Sequence, residues 1–357
     1  MALTKLKLAM FITFILLFGT VLGLTGLLVW YIAPSLYQMS FITLISFLIG
    51  LTIFFTFIQW LLAPYIIRFF TNMREIRKDE YPWLHKMLDE LTKKAKLPKK
   101  PKLYLVYDST PNAFAFGWSK SRAFIAVHSG LIEMLNKDEI KAVLAHEVGH
   151  IKHNDVVLMT LASMIPTIIY YLIIAVGSIM TARVRERERS GIYPLLVFLG
   201  AYVAQFFTYL LVLYLSRVRE FFSDAFSAVA TSPKHMRTAL AKISYGFPII
   251  AGTKLRQYQT RRAFYITDPI AAVKVSQEVK KGEFEKEIEE SIKKREKEGR
   301  KLDLGKELMK AMEWERTNPA AWLIEKFSTH PLCYKRLDAL YELEDEMKKR
   351  TITLDEV

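Results

Sequence analysis

Four long apolar runs constrain this chain more than any other feature. The first follows Lys7 to about Ala33, and the others are Phe41 to about Ile67, Val156–Met180 and Tyr193–Leu215. Each is about as long as the roughly 20 residues that carry a helix across a bilayer's hydrocarbon core. Backbone in lipid must satisfy its own polar groups, so such runs fold as helices. A signal peptide would have a shorter apolar core and a small-residue cleavage site. The first run is therefore expected to be a retained helix, and the chain to carry four spans.

Composition agrees with a membrane protein. Hydrophobic residues make up 52% of the 357, yet 24% are charged, so apolar segments alternate with polar ones. At this length about two domains fit. The net charge of +14 is met by anionic lipid and needs no nucleic acid. Lys5 and Lys7 precede the first run, and Arg68, Arg74, Arg77 and Lys78 follow the second. That pattern places both ends of the pair in the cytoplasm. Simple alternation then puts Thr181–Gly191 outside, against the rule, because it carries Arg183, Arg185, Arg187 and Arg189. Runs three and four are alternatively buried in protein or dip into the bilayer without crossing. The larger Lys/Arg excess elsewhere still favours a cytoplasmic polar part of a cell-membrane protein. Cys333 is the single cysteine, so no internal disulfide forms.

Between the runs the chain reads as an α+β domain. Tyr81–Leu97 has helical apolar spacing, and Lys102–Tyr107, Asn112–Trp118 and Arg122–His128 have strand composition. Asn136, with Glu139 three residues on, starts a helix. The fourth run continues without a breaker to Ala225 as one helix, and a short helix follows near Pro233–Ser244. Val279–Lys306 is crowded with Lys and Glu and reads as a solvated helix or mobile insertion. Ala320–Lys349 is helix-rich. The expected division is 1–70 (two spans), 71–155 (soluble part with strands and motif helix), 156–215 (two spans) and 216–357 (helical part with a charged insertion near 279–315).

The helix from Asn136 carries His146-Glu147-Val148-Gly149-His150, an H-E-x-x-H motif. Positions i and i+4 share a helix face, so both neutral imidazoles can bind one Zn²⁺. Glu147 can reach a water on that metal, whose pKa zinc lowers from about 15.7 to about 7. A catalytic site needs a third protein ligand and one exchangeable position. His153 lies about 4.5 Å of helical rise past His150, while the metal must sit between His146 and His150. A surface or outer hydrogen-bonding role suits His153 better. Glu220, just beyond the fourth run, suits the ligand role, and Asp224 one turn on can fix a ligand imidazole's tautomer. Spacing alone also allows Arg217, Arg219, Glu220 and Asp224 to be ordinary charges flanking a span. His85, His128 and His235 have no partner motif and read as structural.

HEVGHIKHND, SRVREFFSDA and STHPLCYKR, in this order among the apolar runs, resemble the HtpX-type membrane metalloproteases, relatives of the CAAX prenyl proteases. The resemblance implies a mainly α membrane protein with about four transmembrane helices and a gluzincin-like α+β domain. It implies one Zn²⁺ per chain on His146, His150 and Glu220, Glu147 as general base, and an outer role for Asp224. It brings Asn112, Ala113 and Phe114 to the site as an edge strand that binds an extended peptide. It places His330, a donor to the developing oxyanion, and Arg336 near the zinc. Leu332 stands where the family often has a second proline. The implied substrates are peptide segments of damaged or unfolded membrane proteins, in quality control and stress response. The alternatives are a processing protease for lipid-modified carboxy termini and a non-enzymatic scaffold or transporter. The runs carry almost no ionisable groups, which disfavours transport. The oligomeric state is open.

Overall fold

The computed structural model describes residues 41–185, 192–246 and 312–357. The first apolar run and most of the charged insertion lie outside these residues. Among the described residues the protein is mostly helical, with one small sheet. Three helices are long and apolar enough to cross a membrane, over Ile49–Thr71, Asp155–Ile174 and Leu195–Ala230. Their apolar side chains face outward, as with Phe69 (81% exposed) and Leu211 (67%). In water such surface would be an aggregation hazard; in lipid it is the solvent-matched face.

The chain forms two compact units. The smaller comprises Met1–Phe54 and Thr167–Ala204. Here the later part of α5 (Asp155–Arg185) and the first part of α6 (Tyr193–Ala230) approach closely. A Cβ on Gly177 would stand 2.1 Å from Val197 Cγ1, so the packing needs glycine. Tyr170 and Phe198 stack on Tyr202 edge to face nearby. α5 runs on to Arg185, so Thr181–Arg185, expected to lie between the third and fourth runs, is helical, and 186–191 lie outside the described residues.

The larger unit, Phe55–Pro166 with Gln205–Val357, holds the polar domain. Its elements are the end of α1 (Phe41–Thr71), β1 (Arg74–Glu75), α2 (Pro82–Lys94), β2 (Lys102–Val106), β3 (Ala113–Ser119), β4 (Arg122–His128), α3 (Ser129–Met134) and α4 (Lys137–Lys152). After the apolar helices come α7 (Pro233–Ala241), a π turn (Lys242–Gly246), a helical stretch at 312–317, α8 (Pro319–Lys326) and α9 (Cys333–Lys349). The sheet order is β1-β2-β4-β3, with β2 and β4 parallel and the outer pairs antiparallel. β3 is therefore an edge strand.

Strand alternation sorts the sheet's two faces. Leu103, Leu105, Ile125 and Val127 join Leu84, Leu88 and Leu91 of α2, Ile140, Leu144 and Val148 of α4, and Phe226 of α6 in the main core. Fully burying each large aliphatic side chain stabilises by about 1.5–3 kcal/mol. Tyr104, Val106, Phe116 and Ala126 on the other face pack against Ile67 near the end of α1 and Met73 just after it. Asn136 caps α4: its Oδ1 accepts from Glu139 N at 2.9 Å, and Glu139 Oε2 accepts from Asn136 N at 3.0 Å. This reciprocal box satisfies two orphan amides at the start of the motif helix.

Candidate metal centre and active site

α4 and α6 cross tightly, and the crossing builds the site. Gly149 makes it possible, because a Cβ there would lie 3.2 Å from Ser223 Cα and 3.3 Å from the Phe226 ring. Glycine costs roughly 1 kcal/mol in a helix interior, so it signals close packing. Ser227 Oγ donates to Ala142 O at 2.6 Å and ties the helices a turn further on. The crossing sets His146 and His150 of α4 opposite Glu220 of α6.

His146 Nε2 lies 3.1 Å from His150 Nε2. Glu220 Oε2 is 3.6 Å from the first and Oε1 3.4 Å from the second. Bonds of about 2.0–2.1 Å at tetrahedral angles separate neighbouring ligand atoms by roughly 3.3 Å. The triangle fits that spacing, and these three side chains form the one His/Cys/Asp/Glu group suited to a metal among the described residues.

The outer contacts fix the tautomers. His146 Nδ1 lies 2.9 Å from Asp224 Oδ1, and His150 Nδ1 lies 2.7 Å from Asp155 Oδ2. A carboxylate beside Nδ1 holds the proton there, so each Nε2 turns its lone pair toward Glu220. Three acceptors then converge on one point, which a cation resolves. Without metal, protons take its place. Burial disfavours the imidazolium, but Asp155 and Glu220 outweigh it and push His150 up to about 10. Burial likewise opposes, and Asp224 and Glu220 overcome, in raising His146.

Two arginines support this arrangement. Arg336 of α9 donates from Nε and Nη2 to Asp224 at 2.7 and 2.6 Å, and its Nη1 lies 3.2 Å from Glu220. Burial disfavours its charge, but Asp224 and Glu220 more than offset this and raise Arg336. Arg219 Nε donates to Asp155 Oδ1 at 2.6 Å. Ser223 Oγ lies 2.9 Å from His150 Nδ1. Reading the sequence missed Asp155, Arg219 and Ser223. Helical spacing puts Ser223 one turn after Arg219, a signal that was available, but their target lies on another helix.

A cavity of about 330 Å³ opens beside the triangle, with Asn112, Ala113, Phe114, Glu147 and His330 in its wall. Glu147 Oε2 accepts the Ala115 amide at 2.7 Å. Burial pushes this carboxyl up, and His146 and His150 pull against the shift. Along β3, Asn112 O accepts from His128 N, so alternate residues turn their backbone groups to β4. Ala113 and Ala115 therefore turn theirs to the open edge and the cavity. His330 Nδ1 lies 3.1 Å from Glu220 Oε1. His153 stays out of the donor set; it caps α4, and its ring packs on Phe222 and Phe226.

The fold and this site define a membrane metallopeptidase. Residues 78–344 match Peptidase family M48, and the chain belongs to that family. It is similar to the protease HtpX homolog of Methanothermobacter thermautotrophicus, at 35% identity over 243 residues, 67% of this chain and 86% of the relative. The corresponding homolog of Aeropyrum pernix is 32% identical over 300 residues, 80% of this chain and 82% of the relative. The crystal structure of S. mikatae Ste24p shares the fold, with a TM-score of 0.50 and 16% identity, covering 94% of this chain and 67% of that one. M48 metalloproteases are zinc-dependent, and the His-His-Glu triangle is a possible seat for the ion.

Proposed function

We propose that this metalloprotease is a zinc endopeptidase that hydrolyses segments of damaged or unfolded membrane proteins at the cytoplasmic face of the cell membrane. The carrying observation is the convergence of His146, His150 and Glu220 at 3.1–3.6 Å beside the open edge of β3. On this reading those residues hold one ion. Its chemistry when bound is Lewis-acid polarisation of a carbonyl and of water.

The chain's own groups do the rest. Backbone amide and carbonyl of Ala113 bind an extended peptide as an added strand, with the Asn112 amide beside it and Phe114 in the cavity wall. Glu147 accepts the proton of the attacking water and returns it to the leaving amine. Its raised pKa suits that exchange. His330 donates to the developing oxyanion. Asp224, held by Arg336, keeps the His146 proton on Nδ1.

The run before Ala33 is read as a fourth span, and 71–155 with 216–357 as the catalytic part. The Lys/Arg flanks Arg68, Arg74, Arg77 and Lys78 support the cytoplasmic assignment. A site meeting the bilayer receives segments pulled from it, which supports the quality-control role.

The test is casein cleavage by detergent-purified protein, with zinc and with a chelator, alongside Glu147→Gln. Chelation is expected to abolish cleavage. Glu147→Gln is expected to lower kcat by about 10²–10⁴-fold while zinc content stays at the wild-type level. Equal cleavage by the variant would overturn the assignment.

A further inference from the structure

A further apolar surface lies outside the apolar runs, in the short helix α8. Its two faces differ sharply. Ala321, Glu325 and Ser328 are buried against the domain, and Glu325 pairs with Lys335 at 2.5 Å. Trp322 (56% exposed), Leu323 (55%) and Phe327 (54%) point outward with Lys326. That outward face carries no carboxylate, and Lys326 Nζ lies 4.8 Å over the Trp322 ring. A lone exposed Leu needs no explanation, but three large apolar side chains on an eight-residue helix and its C-cap do.

The position of α8 says what covers this face. The Phe327 ring lies 6.2 Å from the ring of Phe206, in the apolar first half of α6. Buried Arg217, where α6 turns polar, donates to Glu325 O at 2.9 Å and Ser328 O at 2.8 Å. It thereby closes the carboxyl end of α8. Tyr214 beside it is 60% exposed. So α8 is fastened to α6 where the lipid-facing stretch ends, and its apolar face continues that surface. Tryptophan and lysine together on such a face are the composition of a bilayer interface, the ring at headgroup depth and the ammonium reaching to water.

We propose that α8 is an interfacial helix whose Trp322–Leu323–Phe327 face lies in the headgroup–acyl boundary of the bilayer. Three residues after Phe327 the chain reaches His330 in the cavity wall, so this contact seats the site at the membrane surface. The inference concerns the surface only and does not rest on the chemistry proposed for the metal.

The test labels single cysteines with an environment-sensitive fluorophore in a Cys333→Ala background, in vesicles of mixed neutral and anionic phospholipid. Leu323→Cys reports the face, and Phe327→Cys repeats the measurement if the first variant folds poorly. Lys93→Cys is the reference. It is exposed, and its neighbour Lys94 donates to Ala230 O at the far end of α6, about 20 Å of helix beyond Arg217. The expected result is blue-shifted emission at 323, lost to a shallow spin-labelled lipid and insensitive to iodide, with the reverse at 93. Iodide quenching at 323 equal to that at 93 would overturn the proposal. Protection at 323 from both quenchers would also overturn it, because protein would then cover the face.

Discussion

The two halves of α6 form one unbroken helix and obey opposite rules. In the first half Leu195, Leu199, Phe207 and Leu211 are exposed apolar residues. In the second, Arg217, Glu220, Ser223, Asp224 and Ser227 are buried polar ones. Neither half would be stable in the other's place. The first half matches lipid, which needs no polar partner. The second faces α4 and α9, where each buried charge meets a counter-charge or hydrogen bond. Burial decides nothing alone; the solvent of each half decides what must be hidden. The His146–His150–Glu220 triangle lies just past the switch, on a helix that is apolar enough to cross a membrane in one half and packed into the domain in the other.

Four substitutions would break or sharpen this contrast. Arg336→Leu leaves Asp224 and Glu220 buried beside each other without their guanidinium, and is expected to cost about 3–5 kcal/mol. Thermal melts in detergent would show it, and an unchanged midpoint would contradict the ion-pair account. Gly149→Val forces α4 away from Ser223 and Phe226, and overpacking of this kind costs about 1–3 kcal/mol. Zinc affinity should fall with it, since Glu220 moves away from the histidines. Ser227→Ala removes one buried hydrogen bond to Ala142 O, for about 1 kcal/mol in the same melts. Leu211→Ala, in the apolar half, should change stability by less than about 0.5 kcal/mol, because that side chain is 67% exposed. A larger loss there than at Ser227 would reverse the comparison.

Much of the fold was legible because it is local. The Asn136–Glu139 box, the three strands and the continuous helix through Ala225 follow from spacing and end signals within a few residues. The H-E-x-x-H pair and the exclusion of His153 followed from helical rise alone. Glu220 needed more, since spacing left it equal to an ordinary flanking charge. The α4–α6 crossing is a tertiary event: it brings Ser223 to His150 and Arg219 to Asp155, whereas Asp155 itself reaches His150 from five residues on, at the start of α5. Gly149 carried a readable sign of that crossing, a glycine inside a strong helix. For Arg217 spacing offered only the alternative of a charge flanking a span; its role as the clamp on α8 was hidden, because its acceptors are backbone carbonyls that no sequence pattern marks. The edge position of β3 depended on sheet order, which strand composition does not reveal.

Zinc titration of metal-stripped protein tests the central claim most directly, with Glu220→Gln and Leu211→Ala run beside wild type. Both changes fall on the same helix, one in each half. Wild type and Leu211→Ala are expected to bind one ion per chain with equal affinity. Glu220→Gln should lose more than the roughly 10–100-fold that removal of an outer hydrogen bond costs. Wild-type affinity in Glu220→Gln would contradict the account, because the polar half of α6 would then contribute no ligand to the metal.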